Sequence, residues 1–132
     1  KYVSFDHLKD NDYYILIKHR NHLSILSANA VTFTAGTIEV ANTIDFTQKM
    51  ENAFDNERPV SKQDPLKMIN GKCLMYAGEL NGDHLISVKD AVIVKTNVNK
   101  VGYDVGDISL DARVNAFDKS IVKANAYIHK KF

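Results

Sequence analysis

The sequence predicts an all-β fold in which antiparallel strands build an open jelly roll or a β-sandwich, with one long connection that carries a short helical turn. Three observations lead there. Apolar residues recur with period two, β-branched and aromatic residues are frequent, and short Gly-containing turns separate the runs. The 132 residues suit a single β-rich domain over 1–132, large enough to bury a core without disulfide staples. Charged residues make up 25% and apolar residues 45%, the balance of a packed domain rather than of a disordered or fibrous chain.

Along the chain, strands are expected at 2–5, 13–18, 23–34, 37–46, 72–80, 85–95, 107–116 and 120–129. The clearest is "DISLDARVNA", where Ile108, Leu110, Ala112, Val114 and Ala116 share one face and Asp107, Ser109, Asp111, Arg113 and Asn115 the other, the pattern of a half-buried antiparallel strand. "TIEVANTIDF" places Ile38, Val40, Ile44 and Phe46 on a common face interrupted by Asn42. Turn chemistry lies at Ala35-Gly36, Asn70-Gly71 and Asn81-Gly82-Asp83, where Gly or Asn suits positive φ. Successive hairpins of this kind favour an antiparallel meander, sandwich or jelly roll over a βαβ fold. Residues 47–70 break the pattern and hold both prolines, Pro59 and Pro65. They read as the long connection, with a helical turn at 48–56 that brings Met50 and Phe54 to one face at i and i+4.

Seventeen Lys and Arg against sixteen Asp and Glu leave a formal charge of +1, far from the basic excess that nucleic-acid binding calls for. Cys73 is the one cysteine, so no intrachain disulfide can form, and its apolar neighbourhood marks it as a buried, inert thiol. No run approaches the roughly 18 apolar residues of a membrane span. The chain begins at Lys1 without an initiator Met, which points to a processed or truncated product whose signal or membrane anchor has been removed.

Motifs of catalysis are missing: there is no Gly-rich phosphate loop, nucleophile elbow or His-Glu-x-x-His. The sequence therefore predicts no catalytic residue, no cofactor and no metal site. His19 and His22 have a chelating spacing but no third ligand beside them. The spacing of Asp104, Asp107 and Asp111 does not match a calcium loop, and the last two alternate outward on a strand, so they read as a solvated face. Glu79, Asp83 and Asp90 have the chemistry for acid-base work if strands bring them together, yet nothing in the sequence selects them.

The stretches "LSANAVTFTAGTIEVANTIDFTQ" and "DISLDARVNAFDKSIVKANAYIHKK" share a Leu-x-Ala start, a turn, and Ile-x-x-Ala-Asn, with "HLISVKDAVIVKTN" as an intermediate copy. This unit resembles the OstA-like unit of the periplasmic lipopolysaccharide-transport proteins, the LptA and LptC family. The resemblance implies a non-enzymatic carrier or scaffold of the periplasm or cell envelope. Its twisted jelly roll would take the acyl chains of lipopolysaccharide in an apolar groove lined by Ile38, Val40, Ile44, Phe46, Ile108, Leu110 and Val114. The two-proline segment is larger than such an array needs. The competing expectation is a β-sandwich interaction module of a surface or secretion assembly, which binds a protein partner through an exposed sheet edge.

Overall fold

The computed structural model describes residues 8–33, 44–55 and 64–129. Short antiparallel strands fill the first half: β1 (Asn11–Tyr13), β2 (Leu16–His19), β3 (His22–Leu26), β4 (Val31–Phe33), β5 (Lys67–Ile69) and β6 (Lys72–Leu74). Among the described residues they form three two-stranded sheets, β1 with β4, β2 with β3, and β5 with β6. The antiparallel pairing expected from period-two patterning is thus present. Asn70 and Gly71 close the β5–β6 hairpin, both at positive φ (50° and 73°), as a tight primed turn requires. A 3₁₀ turn at Met50–Asn52 falls inside the expected helical turn, and Ala28 N donates to the Asn52 carbonyl at 2.9 Å, tying the long connection to the end of β3.

The second half departs from the strand pattern. Residues 85–95 and 120–129, read as strands, contribute instead to two helices, α1 (Val88–Thr96) and α2 (Ala116–Ala124). Val88, Val92, Ile93 and Val94 lend α1 a β-like composition, but its first turn is fixed by a capping box. The Ser87 side chain accepts from Lys89 N at 3.2 Å, and the Asp90 side chain accepts from Ser87 N at 2.8 Å. α2 repeats the device with Asn115 and Asp118: Phe117 N donates to Asn115 Oδ1 at 2.7 Å and Asn115 N to Asp118 Oδ2 at 2.8 Å. Burial then follows helical spacing, Asp90 with Val94 and Asp118 with Val122. The expected strand 107–116 is likewise a loop that runs into α2. Leu110 and Ala112 sit at φ 62° and 65°, outside any strand conformation, because the loop is folded around its own carboxylates. Expected strands 2–5 and most of 37–46, with the Ala35-Gly36 turn, lie outside the described residues.

Two groups of buried side chains meet along β3. Leu23 belongs to a cluster with Ile86, Val94, Ile108, Val114 and Val122, while Ile25 joins Ala53, Leu66 and Cys73. Leu23 and Ile25 point to the same face of β3, as alternation requires, so one strand serves both groups. Cys73 is buried there as a free thiol.

Candidate functional site

The helices are preceded by loops of the same construction, residues 79–90 and 107–118. Glu79 aligns with Asp107, Asn81 with Ser109, Asp83 with Asp111, Ser87 with Asn115 and Asp90 with Asp118. The backbone repeats as well. Gly82 and Leu110 both have left-handed φ (80° and 62°), as do His84 and Ala112 (67° and 65°) and, beyond the helices, Asn99 and Tyr127 (73° and 69°). Each loop is also held by the segment that follows the other helix. Ile86 N donates to the Ile128 carbonyl at 2.9 Å and Tyr127 N to the Ile86 carbonyl at 2.7 Å; Val114 N donates to the Lys100 carbonyl and Asn99 N to the Val114 carbonyl, both at 3.0 Å. The result is a pair of interlocked loop–helix units, with α1 and α2 as neighbours.

Inside each loop the side-chain oxygens are occupied by backbone N–H groups. Asp107 accepts from Asp111 N and Ala112 N, each at 3.1 Å, and Asp111 accepts from Arg113 N at 2.9 Å. Asp118 accepts from Ile108 N and Ser109 N, each at 2.9 Å, besides Asn115 N. In the first loop, Glu79 accepts from Gly82 N at 2.6 Å, Asn81 from Asp83 N at 2.9 Å, Asp83 from Leu85 N at 3.1 Å, and Asp90 from Leu80 N at 2.8 Å. Asp90 and Asp118 are fully buried. Burial works against charge on Asp118, but the N–H groups of Ser109, Asn115 and Ile108 outweigh it and hold its carboxyl below the usual aspartate range. Lys89 and the Asn81 amide do the same for the exposed Asp83.

Counted from Glu79 and from Asp107, the oxygen-bearing side chains fall at positions 1, 3, 5, 9 and 12, the spacing at which a 12-residue calcium loop places its ligands, with a backbone carbonyl at 7. Position 6, the glycine of such loops, is left-handed here in both copies although His84 and Ala112 stand there. Taking Asp104, Asp107 and Asp111 as the set hid this spacing. The signal was the register begun at Asp107, with Ser and Asn accepted as donors beside Asp. The Ser109 hydroxyl, at position 3, is sealed from solvent and lies beside the Asp118 carboxylate without making a hydrogen bond of acceptable geometry. Among the described residues no three His, Cys, Asp or Glu side chains are grouped to hold a metal ion.

The described residues among those expected to line an apolar groove are divided between two core clusters and the surface. Ile38 and Val40 lie outside the described residues, Ile44 is half-buried, and Phe46 packs against the cluster that holds Ile25. Ile108 and Val114 are core residues of the other cluster, and Leu110 is 58% exposed. His19 and His22 meet edge to face with ring centroids 4.4 Å apart. Burial, and then the neighbouring His19 and Arg20, push the His22 imidazole down to about 4. Among the described residues no helix is long and apolar enough to cross a membrane. Comparison with protein-family models, with curated proteins and with solved structures returned no match.

Proposed function

We propose that the chain is a non-catalytic protein-interaction module whose two loop–helix units are of calcium-loop type and are reinforced by calcium. One observation carries the reading: the same donor spacing occurs twice, each time with left-handed backbone at positions 4 and 6. In the second loop Asp107, Ser109, Asp111, the Arg113 carbonyl, Asn115 and Asp118 would supply the oxygens. In the first, Glu79, Asn81, Asp83, the Leu85 carbonyl, Ser87 and Asp90 would do so. A cation has to draw these carboxylates partly off their N–H partners, which favours weak binding of the kind that extracellular modules show. That regime fits a place in the cell envelope or outside the cell.

The surface supports a binding role. Val88, Val101, Tyr103, Phe117 and Tyr127 are between 62% and 88% exposed, and all belong to the loop–helix half of the chain. Where large apolar side chains of this kind form a contiguous patch, they mark a contact surface. The lipopolysaccharide-carrier reading needs its lining residues around one opening, and their dispersal between core and solvent makes the interaction module the favoured one.

Thermal unfolding in about 1 mM calcium and in excess chelator tests the cation. Calcium is expected to raise Tm by several degrees, chelator to reverse it, and Asp111→Ala with Asp83→Ala to abolish the response. An unchanged Tm would overturn the calcium reinforcement and leave loops closed by hydrogen bonds alone.

A further inference from the structure

The two loops offer the same charge to a cation, three carboxylates each: Glu79, Asp83 and Asp90 in the first, Asp107, Asp111 and Asp118 in the second. Their backbones match as well, with left-handed φ on Gly82 in the first and, at more strain, on Leu110 in the second. What separates them is how far each oxygen donor is already engaged.

At position 5 the first loop carries a cation of its own. Lys89 Nζ lies 3.1 Å from Asp83 Oδ2, and the Asn81 amide donates to the same oxygen at 3.0 Å. Lys89 is the second residue of α1, where the positive end of the helix dipole opposes an ammonium, so its station is compensated by Asp83 and not by the helix. Its counterpart in α2 is the uncharged Phe117. Asp111, at position 5 of the second loop, accepts from neutral donors instead, the Arg113 N–H at 2.9 Å and the Asn115 amide at 3.4 Å. Among the described residues no Lys, Arg or His, Arg113 included, is ion-paired with a carboxylate of the second loop; Arg20 meets Asp107 at its main-chain carbonyl.

Position 3 shows the same contrast. Asn81 is engaged at both ends, its Oδ1 accepting from Asp83 N at 2.9 Å while its Nδ2 donates to the Asp83 carboxylate. Ser109 Oγ is sealed from solvent beside Asp118 without a hydrogen bond of acceptable geometry. A buried hydroxyl left so is costly, and a cation held by Asp107, Asp111 and Asp118 would give its oxygen a partner.

We infer that the loops fill in order: the second takes calcium first, with Ser109 as a ready donor, while the first is held shut by Lys89, a tethered ammonium that stands in for the ion and has to be displaced before calcium enters. The inference rests on the calcium reading and adds to it an order of filling and a built-in competitor. Between the two affinities only the second loop is loaded, and the first keeps its closed form through Lys89.

Isothermal titration of the intact chain with calcium chloride tests this. Two steps at least about tenfold apart are expected, the scale of one buried polar group given a partner. Asp83→Ala should keep the tight step and Asp111→Ala the weak one, and Ser109→Ala should weaken the tight step by about tenfold. The Lys89 side chain is 71% exposed, so Lys89→Gln should strengthen the weak step only about twofold to fivefold, the scale of an exposed ion pair, and leave the tight step in place. Lys95→Gln, which removes the same charge from the last turn of α1, should move neither step. The comparison of the parent with Lys89→Gln alters no oxygen donor, so it stands even where a loop variant fails to fold. Two equal steps, or a tight step lost with Asp83→Ala and kept with Asp111→Ala, would overturn the order of filling and leave the calcium reading intact. Lys89→Gln behaving as Lys95→Gln does would overturn the competitor. A parent chain that binds no calcium would overturn the calcium reading and the inference with it.

Discussion

Replacing Asp118 by Ala removes the acceptor that closes the second loop onto its helix. The carboxylate takes three backbone N–H bonds, from Ile108 and Ser109 at 2.9 Å and from Asn115 at 2.8 Å. Hydrogen bonds to a charged group contribute about 1.5–3 kcal/mol each, and they do not add fully. Ile108 N loses its acceptor inside the core, whereas the half-buried Ser109 and Asn115 can recover water. The net cost is about 3–5 kcal/mol, at least about a fifth of the 5–15 kcal/mol that holds a typical domain together. Asp90, the counterpart in the first loop, takes two such bonds, from Leu80 N and Ser87 N at 2.8 Å, so Asp90→Ala should cost less, about 2–4 kcal/mol. Urea unfolding followed by far-ultraviolet circular dichroism measures both. Asp118→Asn keeps one acceptor oxygen and should fall between the parent and Asp118→Ala. The reasoning is refuted if Asp118→Ala costs under about 1 kcal/mol, or if Asp90→Ala proves the more damaging of the two.

Two further substitutions and one titration probe the same architecture. Gly78 has φ 112° and an added Cβ would stand 3.2 Å from the Val122 Cα, so Gly78→Ala should cost about 2 kcal/mol or more; Gly106→Ala, outside the left-handed region and facing only side-chain atoms of Asp104 and Val114, should cost about 1 kcal/mol, and the order of the two Tm values checks this. His22 is held at about 4 in the fold against 6.5 when free, so the unfolded chain binds the proton more readily. Its contribution is fully present above pH 6.5 and is lost as pH falls towards 4, by about 1–2 kcal/mol once partial solvent exposure is allowed for. Imidazole chemical shifts that place the His22 midpoint above 6 would contradict it.

How far the sequence could be read depended on which interaction governed each segment. The hairpins were legible because local chemistry decides them: alternation in β3 and positive φ at Asn70-Gly71 suffice. α1 was misread because β-branched residues crowd it, and the loop before α2 because Ile108 and Val114 are buried with an even spacing that suits a strand as well as a loop. The deciding residues were polar. Ser87 and Asp90, and then Asn115 and Asp118, form capping boxes, a signal of helix start present in the sequence at both sites. The repeat was sensed at 110–128 and paired first with 26–46, whose matching residues are mostly hydrophobic and therefore undemanding, with 84–97 only as an intermediate copy; its structural counterpart is 82–100, in the unit that begins at Glu79, where the oxygen donors recur. The contact of Arg20 with Tyr103 could not be seen at all, since the two are brought together only by the docking of the β2–β3 turn on the second loop.

In that docking one residue is bonded at the start of both loops. Asn21 is fully buried; its amide donates to the Asp107 carbonyl at 3.0 Å, its carbonyl oxygen on the side chain meets His22 Nδ1 at 2.8 Å, and its backbone carbonyl accepts from Gly78 N at 2.8 Å. Asp107 is the first residue of the second loop and Gly78 immediately precedes the first. A single turn of the β-hairpin therefore sets the start of both loops, and buried amide bonds of this kind leave little room for one to shift alone. Calcium that tightens either loop would then be felt at the β2–β3 turn, where Lys18, His19 and Arg20 face Leu110 and Tyr103. The strain at Leu110 persists for the same reason: Asp107 on one side is anchored by Asn21, Asp118 on the other fixes Ile108 and Ser109, and the leucine between them has no freedom to relax into the core.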